Sequence, residues 1–408
     1  MHVTRAAERP FHEAGVPGIE RGRVWGSGLG VAILAALVLG ACATPPQSFE
    51  QRKALMPTDE DVIVDYDWYR PLQTVAGRER PWPRVVAKGG DGGAGPRFAR
   101  FVAVAREFDT LALVVVRDGQ VVLEDYAAGY TARSRFNTQS MHRGLLTVAV
   151  LAALSDGRLP SLDARIGDYL PAWRTDPRGD ITVAQLLYGR SGIASAGAPG
   201  VLRGGVLEMF LGTDIEAAVL GLPAASPRGG AYRPNEVEAQ ILGHVLDGAT
   251  GEPYARYLSR RLWQPLGAST AYVQLDRPGG HARMFCCILA TALDWARVGQ
   301  LVLDEGRVGR NEVIAPRWIA QLRTAYPDAP ASGPFWFLQA TALGPTLPGA
   351  RPPSVTPFAR ADVMFAGGRG GQRVYVIPSL RTVVVRIGRI RNDYDDGAFL
   401  NPLLQALQ

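Results

Sequence analysis

The segment Thr-Gln-Ser-Met-His-Arg-Gly-Leu at residues 138–145 combines a serine with the start of an apolar run that has helical spacing. Ser140 stands at the N-terminal end of this run, where a hydroxyl can act as a nucleophile or simply cap the helix. Arg143 follows three residues later, so both side chains lie on one helical face. Because a guanidinium has a pKa above about 12, Arg143 cannot be the base that activates the serine. It could stabilise a phenolate, bind a carboxylate, or be the relic of a lost base.

His142 is the imidazole nearest to Ser140 in the sequence and would be the obvious substitute base. On an α-helix, however, residues i and i+2 are separated by roughly 160° around the axis. We therefore expect His142 to face away from Ser140 and to pack elsewhere.

The elements that must position Ser140 form a pattern of strands at both ends and helices between them. Residues 111–126 are two β-rich runs around Asp118-Gly119, which is a strong hairpin signal. Residues 370–388 are again two strand-like runs, with a turn at Pro378-Ser379. Helical spacing that stops at glycines marks the middle of the chain, for example at residues 236–251. This order predicts one sheet formed by both termini of the domain, with a helical insert.

Composition excludes several classes of protein. The 408-residue chain has 47% hydrophobic and 20% charged residues, which is a globular balance, and its net charge is +6. The arginines that cause this charge are scattered, so nucleic acid is not an expected partner. The cysteines Cys42, Cys286 and Cys287 have no metal-binding spacing. We expect no metal site, no cofactor and no disulfide, since adjacent cysteines rarely pair.

The N-terminal region carries a targeting signal. The apolar run from Leu29 to Ala41 is too short for a comfortable membrane span but suits a signal peptide. It ends in Leu39-Gly40-Ala41-Cys42, which resembles a bacterial lipobox. This resemblance implies that Cys42 is acylated and that a lipoprotein is anchored in the cell envelope, facing the periplasm or the exterior. A plain signal peptide or an N-terminal anchor is the alternative.

These signals divide the chain into three parts. Residues 1–41 are the predicted lipoprotein signal peptide, and residues 42–96 are a tether with room for a short helix. The glycine-rich sequence at 88–96 is the predicted joint. Residues 97–408 are the predicted folded domain.

Five ordered segments after the Ser140 helix resemble the serine β-lactamase-like superfamily, which includes class C β-lactamases, penicillin-binding proteins and esterases. The resemblance runs from about residue 97 to the end and is nearest to the 6-aminohexanoate-dimer (nylon-oligomer) hydrolase type. It implies an α+β fold of the β-lactamase/transpeptidase type, with an antiparallel sheet from both termini, flanking helices and a mostly helical insert domain. The segments are DGRLPSLDARIGDYLPAW, ITVAQLLYGRSGI, QILGHVLDGATGEPYARYLSRRLWQPLGAS, ATALDWARVGQLVLDEGRVGRNEVIAPRWI and FAGGRGGQRVYVIP.

The resemblance also implies roles for individual residues. Such enzymes form an acyl-enzyme at the serine of an S-x-x-K motif, where the lysine takes the proton and a tyrosine passes it on. Ser140 matches the serine, whereas Arg143 stands in place of the lysine. Pro234 falls where the tyrosine belongs. Tyr232, two residues earlier, is the candidate substitute, although an aromatic residue there can serve packing alone.

The third motif of the superfamily, K-T-G or H-x-G, matches Gly368, Arg369 and Gly370. Glycines let the backbone approach a substrate closely. The Arg369 N–H is the candidate second donor of an oxyanion hole, and its side chain could instead orient an acidic group on the substrate. The alternative is that the glycines serve only the conformation of a hairpin.

Two functions are consistent with these residues. The first is a lipid-anchored serine hydrolase that cleaves a small-molecule or peptide-like ester or amide through Ser140. The second is a catalytically impaired pseudoenzyme of the same fold that binds peptidoglycan-like or other peptide ligands. A base hydrogen-bonded to the Ser140 hydroxyl would favour the first. The sequence indicates neither the substrate nor the oligomeric state.

Overall fold

The computed structural model describes residues 47–58, 61–85, 96–195, 205–224, 226, 228–326, 328–340 and 355–408. The helices are α1 (Phe49–Leu55), α2 (Ala99–Glu107), α3 (His142–Ser155), α4 (Val183–Leu187), α5 (Val206–Leu211), α6 (Ile215–Leu220), α7 (Glu236–Thr250), α8 (Tyr254–Leu258), α9 (Gln264–Leu266), α10 (Ala292–Leu303), α11 (Pro316–Ile319) and α12 (Asp396–Ala406). The strands are β1 (Leu72–Val75), β2 (Thr110–Arg117), β3 (Gln120–Tyr126), β4 (Arg135–Asn137), β5 (Ala271–Gln274), β6 (Ile288–Thr291), β7 (Arg307–Val308), β8 (Asn311–Glu312), β9 (Met364–Gly368), β10 (Gln372–Ile377) and β11 (Thr382–Gly388).

Five strands form an antiparallel sheet in the order β3-β2-β11-β10-β9. This confirms that both ends of the domain build the sheet. The β2–β3 hairpin turns at Asp118 and Gly119, which both have positive φ, the conformation that an Asp-Gly pair favours in a two-residue loop. Side chains on one face pack with α2 and α12, and those on the other face with α10. Since both faces are buried, consecutive residues such as Val114 and Val115 are fully buried, which explains the unbroken apolar runs.

The central helix α3 is apolar around its whole circumference. Twelve of its 14 residues are buried, as expected for a helix that runs through the core rather than along the surface. The rest of the insert is mostly helical, as predicted. Its strands β4, β5 and β6 form a second antiparallel sheet with β1 of the N-terminal segment, in the order β1-β5-β6-β4. The start of α3 is therefore held by a rigid, fully packed element.

Residues 47–58 and 61–85 pack against the domain and differ from the tether that their composition predicts. All four residues of β1 pair with β5. Arg52 of α1 is fully buried and donates hydrogen bonds to the carbonyl oxygens of Leu211 and Asp276 at 2.8 and 2.6 Å. A high content of proline, glycine and charge predicts flexibility, but a buried guanidinium bonded to carbonyl groups fixes this segment. The folded part thus begins before residue 97.

The predicted signal peptide at 1–41, Cys42 and most of the glycine-rich joint at 88–96 lie outside the described residues. Within the described ranges, no helix combines the length and the apolar character needed to cross a membrane.

Cys286 and Cys287 are joined by a disulfide bond, so the expectation that they stay unpaired is wrong. Cys287 has a φ of 76°, and this left-handed turn brings the two side chains of the adjacent residues to the same side. Both residues are buried and directly precede β6, the strand that pairs with β4 below the Ser140 segment.

Candidate functional site

Ser140 lies in a short 3-10 turn, Gln139–Met141, that leads directly into α3. Gln139 has a φ of 52°, which is uncommon for a residue other than glycine, and its N–H donates to Asn137 Oδ1 at 3.1 Å. The Ser140 carbonyl oxygen accepts hydrogen bonds, whereas its hydroxyl makes none to any residue that the structure describes. The turn therefore presents a partly exposed hydroxyl that is free to meet a ligand.

The edge of the five-stranded sheet ends beside this turn. β9 is the edge strand, and Gly368 is its last residue. A Cβ on Gly368 would overlap the Thr138 carbonyl oxygen and would lie 3.0 Å from the Met141 nitrogen. Any side chain at this position would push β9 away from Ser140, so close approach of the two backbones requires glycine.

From the alternation along β9, we expect the Arg369 N–H to point towards the same edge. Phe365 exchanges hydrogen bonds with Phe337 on the outer side of β9, and hydrogen-bonding direction alternates along an antiparallel strand. Gly368 stays extended, with φ −124° and ψ 167°, so the alternation continues to the Arg369 N–H. Gly370 has a different role. Its positive φ turns the chain into β10, and its carbonyl oxygen accepts a hydrogen bond from Arg386 at 2.9 Å.

Arg143 lies one turn along α3 from Ser140 and does not bond the serine hydroxyl. Its Nε donates to the Ser140 carbonyl oxygen at 3.4 Å, which is a weak contact. The guanidinium carbon lies 5.7 Å from the centre of the Phe335 ring. Burial lowers the pKa of the Arg143 guanidinium, and the Glu236 carboxylate is the main opposing influence. The group remains a cation at neutral pH, so Arg143 supplies charge to the site rather than a base.

His142 faces away from Ser140, as predicted. Its Nδ1–H donates to the Cys286 carbonyl oxygen at 2.6 Å, and its Nε2 accepts from the Tyr254 hydroxyl at 2.8 Å. Burial lowers the pKa of His142 to about 4. The ring is thus a neutral structural group that ties α3 to α8 and to the Cys286 backbone.

Tyr232 lies close enough to Arg143 for the guanidinium to influence its phenol. Burial raises the pKa of Tyr232, against smaller opposing effects of Ser332 and Arg143. A phenol with a raised pKa keeps its proton at neutral pH, so Tyr232 is a poor base, and the raised pKa also makes it a weaker acid than an ordinary tyrosine. Pro234 packs against the Gly189 backbone and has no group that transfers protons.

Two glutamates at the start of α7 belong to the same region, and the sequence reasoning gave them no role. Glu236 influences Arg143, and its Oε1 accepts from the Ser195 hydroxyl at 2.9 Å. Glu238 Oε1 accepts from the Ser191 hydroxyl at 2.6 Å and from the Ser191 N–H at 3.1 Å. The capping box that Asn235 forms with Glu238 is a signal visible in the sequence, but it does not reveal the contact with Ser191.

Glu238 should make the stability of the fold depend on pH. Burial raises the pKa of Glu238 from 4.5 to about 7, so the folded chain binds more protons than the unfolded chain between these values. The free energy of unfolding should therefore fall by up to about 3 kcal/mol from this group as pH rises through that window. Urea titrations from about pH 4 to 8 give the free energy of unfolding of the native protein and of Glu238→Gln. The difference between the two pH profiles is the contribution of Glu238. The exposed Glu107→Gln should leave the native profile unchanged, and a native-like profile for Glu238→Gln would contradict the prediction.

Known proteins share this fold. The family model described as Beta-lactamase matches residues 98–406. The 6-aminohexanoate-dimer hydrolase of Paenarthrobacter ureafaciens is 25% identical over 242 residues, which cover 52% of this chain and 56% of that protein. The match thus spans little more than half of the curated relative.

Solved structures extend the similarity to most of the chain. A Bacillus anthracis protein described as a 6-aminohexanoate-dimer hydrolase has a TM-score of 0.65 at 18% identity, covering 85% of this chain and 92% of its own. A family VIII carboxylesterase has a TM-score of 0.56 at 17% identity, covering 78% and 98%. The resemblance inferred from the five sequence segments is confirmed.

Proposed function

Because the chain belongs to the beta-lactamase family, whose model matches residues 98–406, we propose that it is a serine hydrolase that forms an acyl-enzyme at Ser140. The observation that carries the proposal is the free Ser140 hydroxyl at the start of α3, with the edge of β9 packed against its turn. A nucleophile and a backbone N–H directed to the same edge are the parts that acyl transfer needs.

We propose an ester rather than an amide as the substrate class. An amine leaving group must be protonated as it departs, and the residues in the family's lysine and tyrosine positions, Arg143 and Pro234, do not supply this step. An activated alkoxide leaves without such help, so an ester makes the smaller demand on proton transfer. The likeness to a carboxylesterase fold is consistent with this choice.

The proposed reaction has two steps. The Ser140 Oγ bonds to the carbonyl carbon of the ester and loses its proton to solvent water, while the N–H groups of Ser140 and Arg369 hold the oxyanion. The carbon–oxygen bond to the leaving group then breaks, and the released alkoxide takes a proton from water. In the second step a water molecule bonds to the acyl carbon, the bond to the Ser140 Oγ breaks, and the carboxylic acid and the serine hydroxyl are released. Since no described residue accepts a hydrogen bond from the serine hydroxyl, we expect the first step to be slow.

The absence of such a base among the described residues is also the observation that favours a second candidate. In that case the chain is a pseudoenzyme that binds a peptide-like ligand in the cell envelope through the Arg143 charge and the β9 edge, without turnover.

A fluorophosphonate probe tests the first proposal against the second. Intact mass of the full chain, purified in detergent, should show one equivalent of probe, and peptide mapping should place it on Ser140. Ser140→Ala should stay unlabelled, whereas Ser161→Ala, which changes a serine on a turn outside the site, should label normally. The native protein should also hydrolyse a p-nitrophenyl ester and not the matching p-nitroanilide. A folded native protein without label or esterase activity would refute the enzyme and leave the binding module.

We further propose that Cys42 carries a lipid and holds the protein in the cell envelope. The lipobox-like sequence Leu39-Gly40-Ala41-Cys42 supports this localisation. A Cys42→Ser variant should lose its association with the membrane fraction, and unchanged association would contradict the anchor.

A further inference from the structure

Three side chains that could bind a metal ion meet on the insert. Glu216 of α6, His244 of α7 and His281 each offer one ligand atom, and these atoms lie within 4.8 Å of one another. His281 Nε2 is 3.4 Å from Glu216 Oε2. The rings of His244 and His281 are nearly perpendicular, with centres 4.6 Å apart. The residues are 28 and 37 positions apart in the sequence, so motif spacing could not reveal the cluster.

A single buried carboxylate positions two of the three residues. Asp276 is fully buried, and its Oδ2 accepts from the Ile215 N–H at 3.0 Å, which fixes the start of α6 beside Glu216. Its Oδ1 accepts a hydrogen bond from the backbone N–H of His281 at 2.8 Å. The same side chain thus aligns the helix that carries Glu216 and the turn that carries His281.

His244 has the properties of a ligand. It is 3% exposed, and its Nδ1 has no hydrogen-bond partner among the described residues, although buried polar atoms normally have one. Its Nε2 lies 3.3 Å from the Gln240 amide nitrogen, which can only donate, so Nε2 is the acceptor and Nδ1 carries the proton that a bound metal ion would displace.

Asp247 supports His281 from the other side. Its Oδ2 lies 3.6 Å from His281 Nδ1, and its Oδ1 is buried without a partner among the described residues. A carboxylate behind a histidine directs the opposite ring nitrogen to the metal and increases its basicity. Here that opposite nitrogen is Nε2, the atom that faces Glu216.

We propose that Glu216, His244 and His281 form a site for a divalent transition-metal ion, with Zn²⁺ as the preferred ion. Zinc bonds of 2.0–2.1 Å in a tetrahedron separate the ligand atoms by about 3.3 Å, which the His281–Glu216 distance already matches. Two imidazoles and one carboxylate suit zinc rather than magnesium or calcium. A water molecule would take the fourth position, and the side chains of Glu216 and His281 are exposed enough, at 43% and 29%, to admit the ion. The bound ion would join α6, α7 and the turn at His281.

Calorimetric titration of the full chain with Zn²⁺ tests the proposal, after chelator treatment and purification without a polyhistidine tag. We expect one equivalent to bind per chain, and Co²⁺ to give the intense visible bands of a four-coordinate site. Glu216→Gln and His281→Gln should each weaken binding by at least about 100-fold, and Asp247→Asn by about 10- to 100-fold. Zn²⁺ should raise the Tm of the native protein but not that of the two ligand variants.

An exposed carboxylate outside the cluster supplies the control. The variant Glu107→Gln, on α2, should bind one Zn²⁺ as tightly as the native chain. Loss of binding in this variant would overturn the proposal, as would equal affinity of the native, Glu216→Gln and His281→Gln proteins, or no saturable binding. Circular dichroism shows whether each variant is folded. None of these readouts depends on Ser140.

Discussion

Arg143→Lys is expected to raise the rate of Ser140 acylation by about 10²- to 10⁴-fold, the range of a positioned general base. A lysine at this position shares the helical face of Ser140 and keeps the positive charge when protonated. Burial lowers the pKa of the native guanidinium, and the same environment should lower the pKa of a lysine below its usual value of about 10.4. Part of the lysine population is then neutral near pH 8 and can accept the serine proton, which arginine cannot do.

The pH dependence of this variant distinguishes a lysine that acts as the general base from a substitution that helps only by removing the guanidinium. Only the deprotonated lysine can accept the serine proton. In Arg143→Lys, kcat/KM for a p-nitrophenyl ester should therefore rise as the pH passes through the lysine pKa. The native protein should not show this rise. Arg143→Gln removes the charge without adding a base and should show no acceleration. Equal acceleration in Arg143→Gln, or none in an Arg143→Lys protein that still labels at Ser140, would contradict the assignment of Arg143 to the lysine position.

Gly368→Ala is expected to lower esterase activity by about 10²- to 10³-fold, the cost of losing an oxyanion donor. The added methyl group overlaps the Thr138 carbonyl oxygen, so β9 must move away from the Ser140 turn and take the Arg369 N–H with it. The loss should appear mainly in kcat, because the oxyanion forms only as the reaction proceeds.

Gly367→Ala is the matched control for this prediction. A Cβ at Gly367 meets first the end of the Arg373 side chain, at 3.2 Å, rather than the backbone of the serine turn. This variant should keep most of the esterase activity. A Gly368→Ala protein that is folded and fully active would show that the β9 edge takes no part in the reaction.

The sequence predicts the fold well because the local patterns of turns, strands and helix ends agree with the pattern of burial in the folded chain. The Asp118-Gly119 turn, the apolar runs of β2 and the glycine at the end of α7 each specify their element without reference to the rest of the chain. Ser140 is a candidate for the same reason, since it stands where an apolar helix begins, and its role stays a prediction.

The parts that sequence reasoning missed depend on contacts between distant segments. Arg52 gives no sign in its own neighbourhood that carbonyl groups about 160 to 220 residues away will bury it. Glu238 reads as a helix cap, and its link to Ser191 exists only once α4 and α7 pack together. The Cys286–Cys287 bond depends on the left-handed backbone at Cys287, which residue preferences disfavour.

The buried Arg52 also determines the length of the linker between the proposed lipid on Cys42 and the folded domain. If the folded domain began at residue 97, a linker of more than fifty residues after Cys42 would allow Ser140 to lie far from the bilayer. With α1 held by Arg52 and starting at its cap Ser48, the six peptide units between Cys42 and Ser48 span at most about 20 Å. The hydrolase would then stay beside the membrane surface and encounter amphiphilic or surface-bound esters first, while soluble compounds deeper in the surrounding fluid would have to diffuse to it.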